Sequence, residues 1–91
     1  MEIKTTADLK TALRNGKYAW PGGYPLYFVA DDGEPLSFEA VLDQAKQVFW
    51  EIKHKTARSG WRVIACEVNW EDAALYCAHS GRRIEAAYCE D

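Results

Sequence analysis

Residues 37–56 read SFEAVLDQAKQVFWEIKHKT, and no other segment constrains the architecture of this chain as tightly. Phe38, Val41, Leu42, Ala45, Val48, Phe49 and Ile52 recur at steps of three and four. Turned through about 100° per residue, they fill an arc about 120° wide, the width of the apolar stripe on a helix that faces a core. Ser37 offers a hydroxyl to the first free backbone amides, and Glu39 places a carboxylate at the positive end of the helix dipole. Lys53, His54 and Lys55 stand at the other end, where positive charge is favoured. Pattern, cap and charge predict one long amphipathic helix. Trp50 breaks the pattern: it falls about 140° from the middle of the stripe, among Asp43, Lys46, Gln47 and His54.

The 91-residue chain is long enough for one modest core and is read as a single domain, 1–91. It is 48% hydrophobic and 27% charged, the composition of an ordinary folded protein. Four Trp and five Tyr exceed what so small a core can bury, which favours rings at a binding surface. Fourteen acidic against eleven basic residues leave a net charge of −3. A direct binder of nucleic acid needs a surplus of Lys and Arg to neutralise phosphates, so the charge balance argues against that class. A small acidic protein can instead dock on a basic surface of a larger protein.

No apolar run reaches the length of a membrane span, and the first residues lack the basic-then-apolar pattern of a leader. Cys66, Cys77 and Cys89 are an odd count without disulfide-framework spacing. A cytoplasmic chain with reduced thiols and no membrane partner is expected.

Along the chain, Thr5 or Thr6 caps a short helix with Ala7, Leu9, Ala12 and Leu13 on its apolar side, ended by Asn15-Gly16. Residues 17–25 hold two Pro and two Gly and read as a loop carrying Tyr18, Trp20 and Tyr24. Residues 26–30 are a strand by aromatic and β-branched content, residues 31–34 a tight turn, and Pro35-Leu36 a brief returning edge. After the long helix, residues 57–60 end it, and residues 61–68 are the strongest strand, read as central in the sheet. Residues 75–77 and 83 onward read as a late hairpin across a His79-Ser80-Gly81 turn, with residues 89–91 a loose end. The expected fold is α+β: a short N-terminal helix, then an antiparallel or mixed sheet of three to five strands crossed on one face by the long helix.

Candidate chemistry is sparse. Cys66, Cys77, His79 and Cys89 supply four ligands of the type zinc takes. A knuckle, however, needs two ligands two to four residues apart, and Cys77-Ala78-His79 leaves a single residue between them. The expectation is no metal and no cofactor, with Cys66 in the core and Cys77 half-buried as a small hydrophobe. Cys77 with His79 also allows a thiol and its base, but nothing supplies an orienting third group or an oxyanion hole. The acid pairs Asp31/Asp32 and Glu71/Asp72 are explained by turn and capping roles, so no catalytic residue is assigned. Lys53, His54, Lys55, Arg58 and Arg62 form a loose basic region that dipole complementation and solubility account for; its functional alternative is a patch for an acidic partner.

The rings carry more information. Trp50, the Tyr18/Trp20/Tyr24 group and Trp70 lie outside the expected core positions. Either they form a second small core under the Pro-Gly loop or the first helix, or they are a protein-binding surface, where Trp and Tyr dominate affinity.

Gly60-Trp61-Arg62-Val63, Val68-Asn69-Trp70-Glu71-Asp72, Leu75-Tyr76-Cys77 and His79-Ser80-Gly81, with Ile84-Glu85 and Tyr88, resemble a group of small bacterial, phage and plasmid proteins. Gly23-Tyr24-Pro25-Leu26-Tyr27 and Leu36-Ser37-Phe38-Glu39-Ala40 fit the same group, so the resemblance runs over most of the chain. It implies a mobile-element origin rather than a mechanism. Some of that group carry a fuller Cys-x-x-Cys-Gly knuckle where this chain has Cys77 to Gly81 with Ser80 in place of the second Cys. In size and acidity the chain is also similar in kind to anti-CRISPR proteins, which implies an inhibitor that docks on a nucleic-acid-handling host complex.

The reading that follows is a cytoplasmic, non-enzymatic interaction protein of anti-CRISPR-like type. Its partner-binding residues are Trp50, Asp43, His54, Tyr18, Trp20, Tyr24 and Trp70, and a homodimer is allowed. The alternatives are a degenerate zinc knuckle around Cys77 and His79, or a small thiol enzyme.

Overall fold

The computed structural model describes residues 1–19, 22–57 and 59–88. Trp20, Pro21, Arg58 and residues 89–91, which include Cys89, lie outside the described residues.

Helix α1 spans Thr6–Asn15. Thr5 caps it: its hydroxyl accepts from the Asp8 amide at 3.2 Å, and the Asp8 carboxylate accepts from the Thr5 amide at 3.1 Å. Two otherwise unpaired donors are thereby satisfied. The helix ends at Gly16, whose φ of 88° suits a residue without a Cβ. Leu9 and Ala12 are its buried residues.

Strand β1 (Tyr18–Ala19) follows, then β2 (Tyr24–Ala30) and β3 (Pro35–Ser37). β1 corrects the expectation of a plain loop over residues 17–25. Tyr18 opposes Pro25 and Ala19 opposes Tyr24, a short antiparallel ladder. Two Gly made the segment read as unstructured; here Gly22 (φ 110°) and Gly23 (φ 68°) lie between the paired residues.

β2 pairs with every other strand, always antiparallel: with β1, with β3 and with β4, which spans Val63–Val68. The amides of Leu26 and Ala30 donate to Lys17 and Glu34, so β1 and β3 share one edge of β2 while β4 takes the other. Residues 1–3 extend the far edge of β4 through a Glu2–Ala65 bridge. Phe28, Leu36 and Cys66 stand opposite one another across the ladders and are buried on one face. This is an α+β fold with a four-stranded antiparallel sheet.

The long helix is broken. α2 covers Phe38–Asp43 and α3 covers Ala45–His54, with Gln44 between them at φ −106°, ψ 28°, outside the helical well. Hydrogen bonding carries across the break, since the Gln44 amide reaches Ala40 and Val48 reaches Gln44. The reason lies in the neighbours. α2 packs on β2 and β3, whereas α3 packs against α1, and one straight stripe cannot serve both. α2 therefore buries Phe38, Ala40 and Val41 and leaves Leu42 exposed; α3 buries Val48, Ile52 and a charged residue, Glu51. Thr56 Oγ1 donates to Glu51 Oε2 at 3.0 Å, giving that buried carboxylate a partner. The helix stops at His54 because Lys55 turns left-handed (φ 50°), two residues before the expected end.

The late hairpin is reduced to an isolated bridge between Tyr76 and Arg83. Residues 69–88 run otherwise without regular secondary structure, and the candidate site lies among them.

Candidate functional site

Where β4 ends, Asn69 takes over the work of a ladder. Its side-chain amide donates to the carbonyls of Asp72 (3.1 Å), Ile84 (3.3 Å) and Glu85 (3.1 Å), and its Oδ1 accepts from the Asp72 amide at 3.2 Å. One buried side chain thus joins the start of the irregular segment to its end. Two backbone bonds complete the join: Ala87 donates to Asn69 and Tyr88 donates to Trp70.

That join brings Trp70 and Tyr88 together over Tyr24 at the start of β2. The Tyr24 and Trp70 centroids are 4.7 Å apart and tilted by 55°. Trp70 and Tyr88 stack at 6.0 Å with only 11° between their planes, and Tyr24 to Tyr88 is 6.2 Å. Such spacings are those of attractive ring pairs. The Tyr24 and Tyr88 side chains are hydrogen-bonded, which first of all holds the Tyr88 phenol above its ordinary range. Trp70 remains 48% exposed and Tyr88 65%. Their mutual packing fixes the rings without hiding them.

Trp50 is likewise open, at 52%. Its ring lies 4.3 Å from that of His54, one helical turn on, so these two expected site residues meet. Among the described residues no ring contact links this pair to the trio. Ile52 and Lys55 line a cleft with Arg62, Val63 and Glu2, at the opposite end of β4 from Trp70. The expected partner-binding residues are therefore divided.

Asp43 and Tyr18 belong to a third place. A cleft of about 560 Å³ lies between the start of α2 and the C-terminal segment, with Lys17, Glu39, Asp43, Arg82 and Glu85 among its walls. Lys17 Nζ sits 2.7 Å from Glu39 Oε1, and this hydrogen-bonded pair raises the lysine and lowers the carboxylate relative to their ordinary values. Tyr18 donates its hydroxyl to Glu85 at 3.2 Å. Charges of both signs answer one another here, and no field of one sign develops.

The cysteines differ sharply. Cys66 lies in β4 facing the core, and burial pushes its thiol up to about 11. Cys77, expected half-buried, is only 2% exposed. Burial pulls its thiol upward, but the amides and hydroxyls of Ser37 and Ser80 together outweigh that and bring it down to about 7. The Ser80 amide donates to Sγ at 3.5 Å. His79 is not among the groups acting on the sulfur; its ring meets Trp61 edge-on at 4.7 Å. Among the described residues no three His, Cys, Asp or Glu side chains come close enough to hold a metal ion. No described helix is long and apolar enough to cross a membrane.

Reasoning from sequence missed Asn69 and Tyr88. The first had a signal, since Asn followed three residues on by Asp is the pattern of a side chain closing a local turn. Tyr88 had none, because its partners Tyr24 and Trp70 are far away along the chain. No family model, curated protein or solved structure matches the chain, so its functional reading rests on its own geometry.

Proposed function

We propose that the protein is a non-enzymatic docking protein that binds a partner protein through the Tyr24–Trp70–Tyr88 face. Trp50 and His54 supply a second, smaller contact. One observation carries this reading: three rings packed on one another, two of them about half exposed or more. Rings already held in place lose little side-chain freedom on binding, which is why Trp and Tyr dominate the energetics of protein interfaces. In its most specific form the docking inhibits a host complex in the cytoplasm, as anti-CRISPR proteins do, by covering a working surface.

Immobilised wild type and Trp70→Ala, each shown by circular dichroism to be folded, are compared in capture from a bacterial lysate. The wild type retains a partner in stoichiometric amount and Trp70→Ala loses about nine-tenths of it, the scale of an interface hot spot. Equal capture by the two proteins would remove the ring face from the function.

A further inference from the structure

The docking face has a charge as well as a shape. Residues 67–72, which run up to and past Trp70, contain Glu67, Glu71 and Asp72 and not one Lys or Arg. All three acids are exposed. Ion pairs among the described residues join Lys4 to Glu2, Lys17 to Glu39 and Arg62 to Asp31, and none draws on Glu67, Glu71 or Asp72. Glu67 opposes Tyr27 across the β2–β4 ladder, and Asp72 also acts on that phenol, so both carboxylates gather on one side of the sheet. At the other end of β4, Glu2, Lys4, Lys55 and Arg62 line a cleft with Ile52 and Ile64, where Lys4 is paired with Glu2 and Arg62 with Asp31.

Resting on the docking reading above, we propose that the occupant of the Tyr24–Trp70–Tyr88 face is a cationic stretch of a partner protein, rich in arginine or lysine. A guanidinium lies flat on the face of Trp or Tyr, attracted by the ring quadrupole, and the exposed carboxylates in the chain on either side of Trp70 complement its charge. Phosphate backbones are repelled by the same carboxylates. A second copy of the chain could bring its own basic side chains to the face, and the test separates that case.

The probe is a fluorescein-labelled nonapeptide with four arginines, followed by anisotropy at 0.15 M salt, beside the same peptide with glutamates in place of the arginines. The wild type binds the arginine peptide and not the glutamate one. Trp70→Ala weakens binding by about tenfold, between the worth of an exposed and of a desolvated cation–π contact. Glu67→Gln combined with Glu71→Gln, which leaves the rings in place, weakens it several-fold. Binding that ignores both the Trp70 and the glutamate changes overturns the proposal, as does indifference to the charge of the peptide. So does a wild type that self-associates in sedimentation and leaves the peptide free. If the peptide fails to bind but Trp70→Ala still abolishes capture from lysate, the docking face stands and its cationic occupant falls; if capture survives as well, both fall.

Discussion

Trp50 and Trp70 are exposed to nearly the same degree, yet the chain holds them by opposite means. Trp50 projects from the middle of α3, whose backbone bonds and buried Val48 and Ile52 exist without it. Among the described residues only His54 touches it ring to ring. Trp70 stands on irregular chain and is placed by other parts of the molecule: Asn69 beneath it, Tyr88 beside it and Tyr24 from another strand. A ring on a helix is displayed at no structural cost. A ring displayed by irregular chain needs dedicated support, and that support is itself a sign that the position matters.

The support can be removed first. Asn69→Ala leaves the carbonyls of Ile84 and Glu85 without their donor and the Asp72 amide without its acceptor. A loss of about 2–4 kcal/mol is expected, from several part-buried polar groups left unsatisfied at once. Urea denaturation measures it, and near-ultraviolet circular dichroism reports whether the ring trio disperses. A variant that keeps wild-type stability and the wild-type aromatic spectrum would show that the two backbone bonds suffice alone.

Gly22→Ala acts on the same side of the comparison. A Cβ there would lie 2.6 Å from Tyr24 Cε2, and the φ of 110° is one that residues with side chains rarely adopt. The Tyr24 ring has to move, and Trp70 packs on it. About 1–3 kcal/mol is expected, the cost of a strained backbone position. The thermal midpoint measures the loss, and an unchanged midpoint together with an unchanged aromatic spectrum would refute this account of Tyr24.

Alkali tests the trio by a different route. Hydrogen bonding to Tyr24 raises the Tyr88 phenol above its ordinary range near 10. A raised acid binds more protons folded than unfolded as pH climbs through the ordinary value. Its contribution is therefore complete below that value and is lost as pH rises through the folded one. Absorbance at 295 nm should show a late-titrating tyrosine that Tyr24→Phe returns toward normal. A variant that titrates as the wild type does would deny the Tyr24–Tyr88 bond any part in the shift.

What could be read in advance follows the range of the interactions. α1 was legible down to a Thr5-or-Thr6 cap and a Gly16 end, because these signals act within a few residues; that Thr5 caps it, with Asp8 answering, is settled by the structure. The turn into β3 was legible too, since Gly33 and the Asp32 carboxylate, which accepts from Glu34, close it locally. The break at Gln44 was not, because it answers to α1 and the sheet rather than to residues 37–56. β1 was hidden for the same reason: two residues form a strand only because Tyr24 and Pro25 are there to pair with. At the candidate site Trp70 and Tyr24 could be named from residue type. Their meeting could not, since it depends on contacts 46 and 18 residues apart in sequence, through Tyr24, Trp70 and Tyr88. The grouping of Asp43 and Tyr18 with Trp50 fails on the same ground; both line or border the cleft beside Lys17 instead.

The smallest effect belongs to the helix ring. Trp50→Ala removes an exposed side chain from a helix whose caps and core contacts lie elsewhere, and Ala has the higher helix propensity. The change in stability should stay within about 0.5 kcal/mol, as for surface substitutions generally, and could carry either sign. Its value lies in the contrast with Trp70→Ala, which takes away two ring contacts and should cost about 1–2 kcal/mol. Measured side by side in urea, the two indole deletions report directly on how each ring is held. Equal losses would mean that Trp50 has packing partners beyond His54, and the distinction between a ring displayed for free and a ring propped in place would collapse.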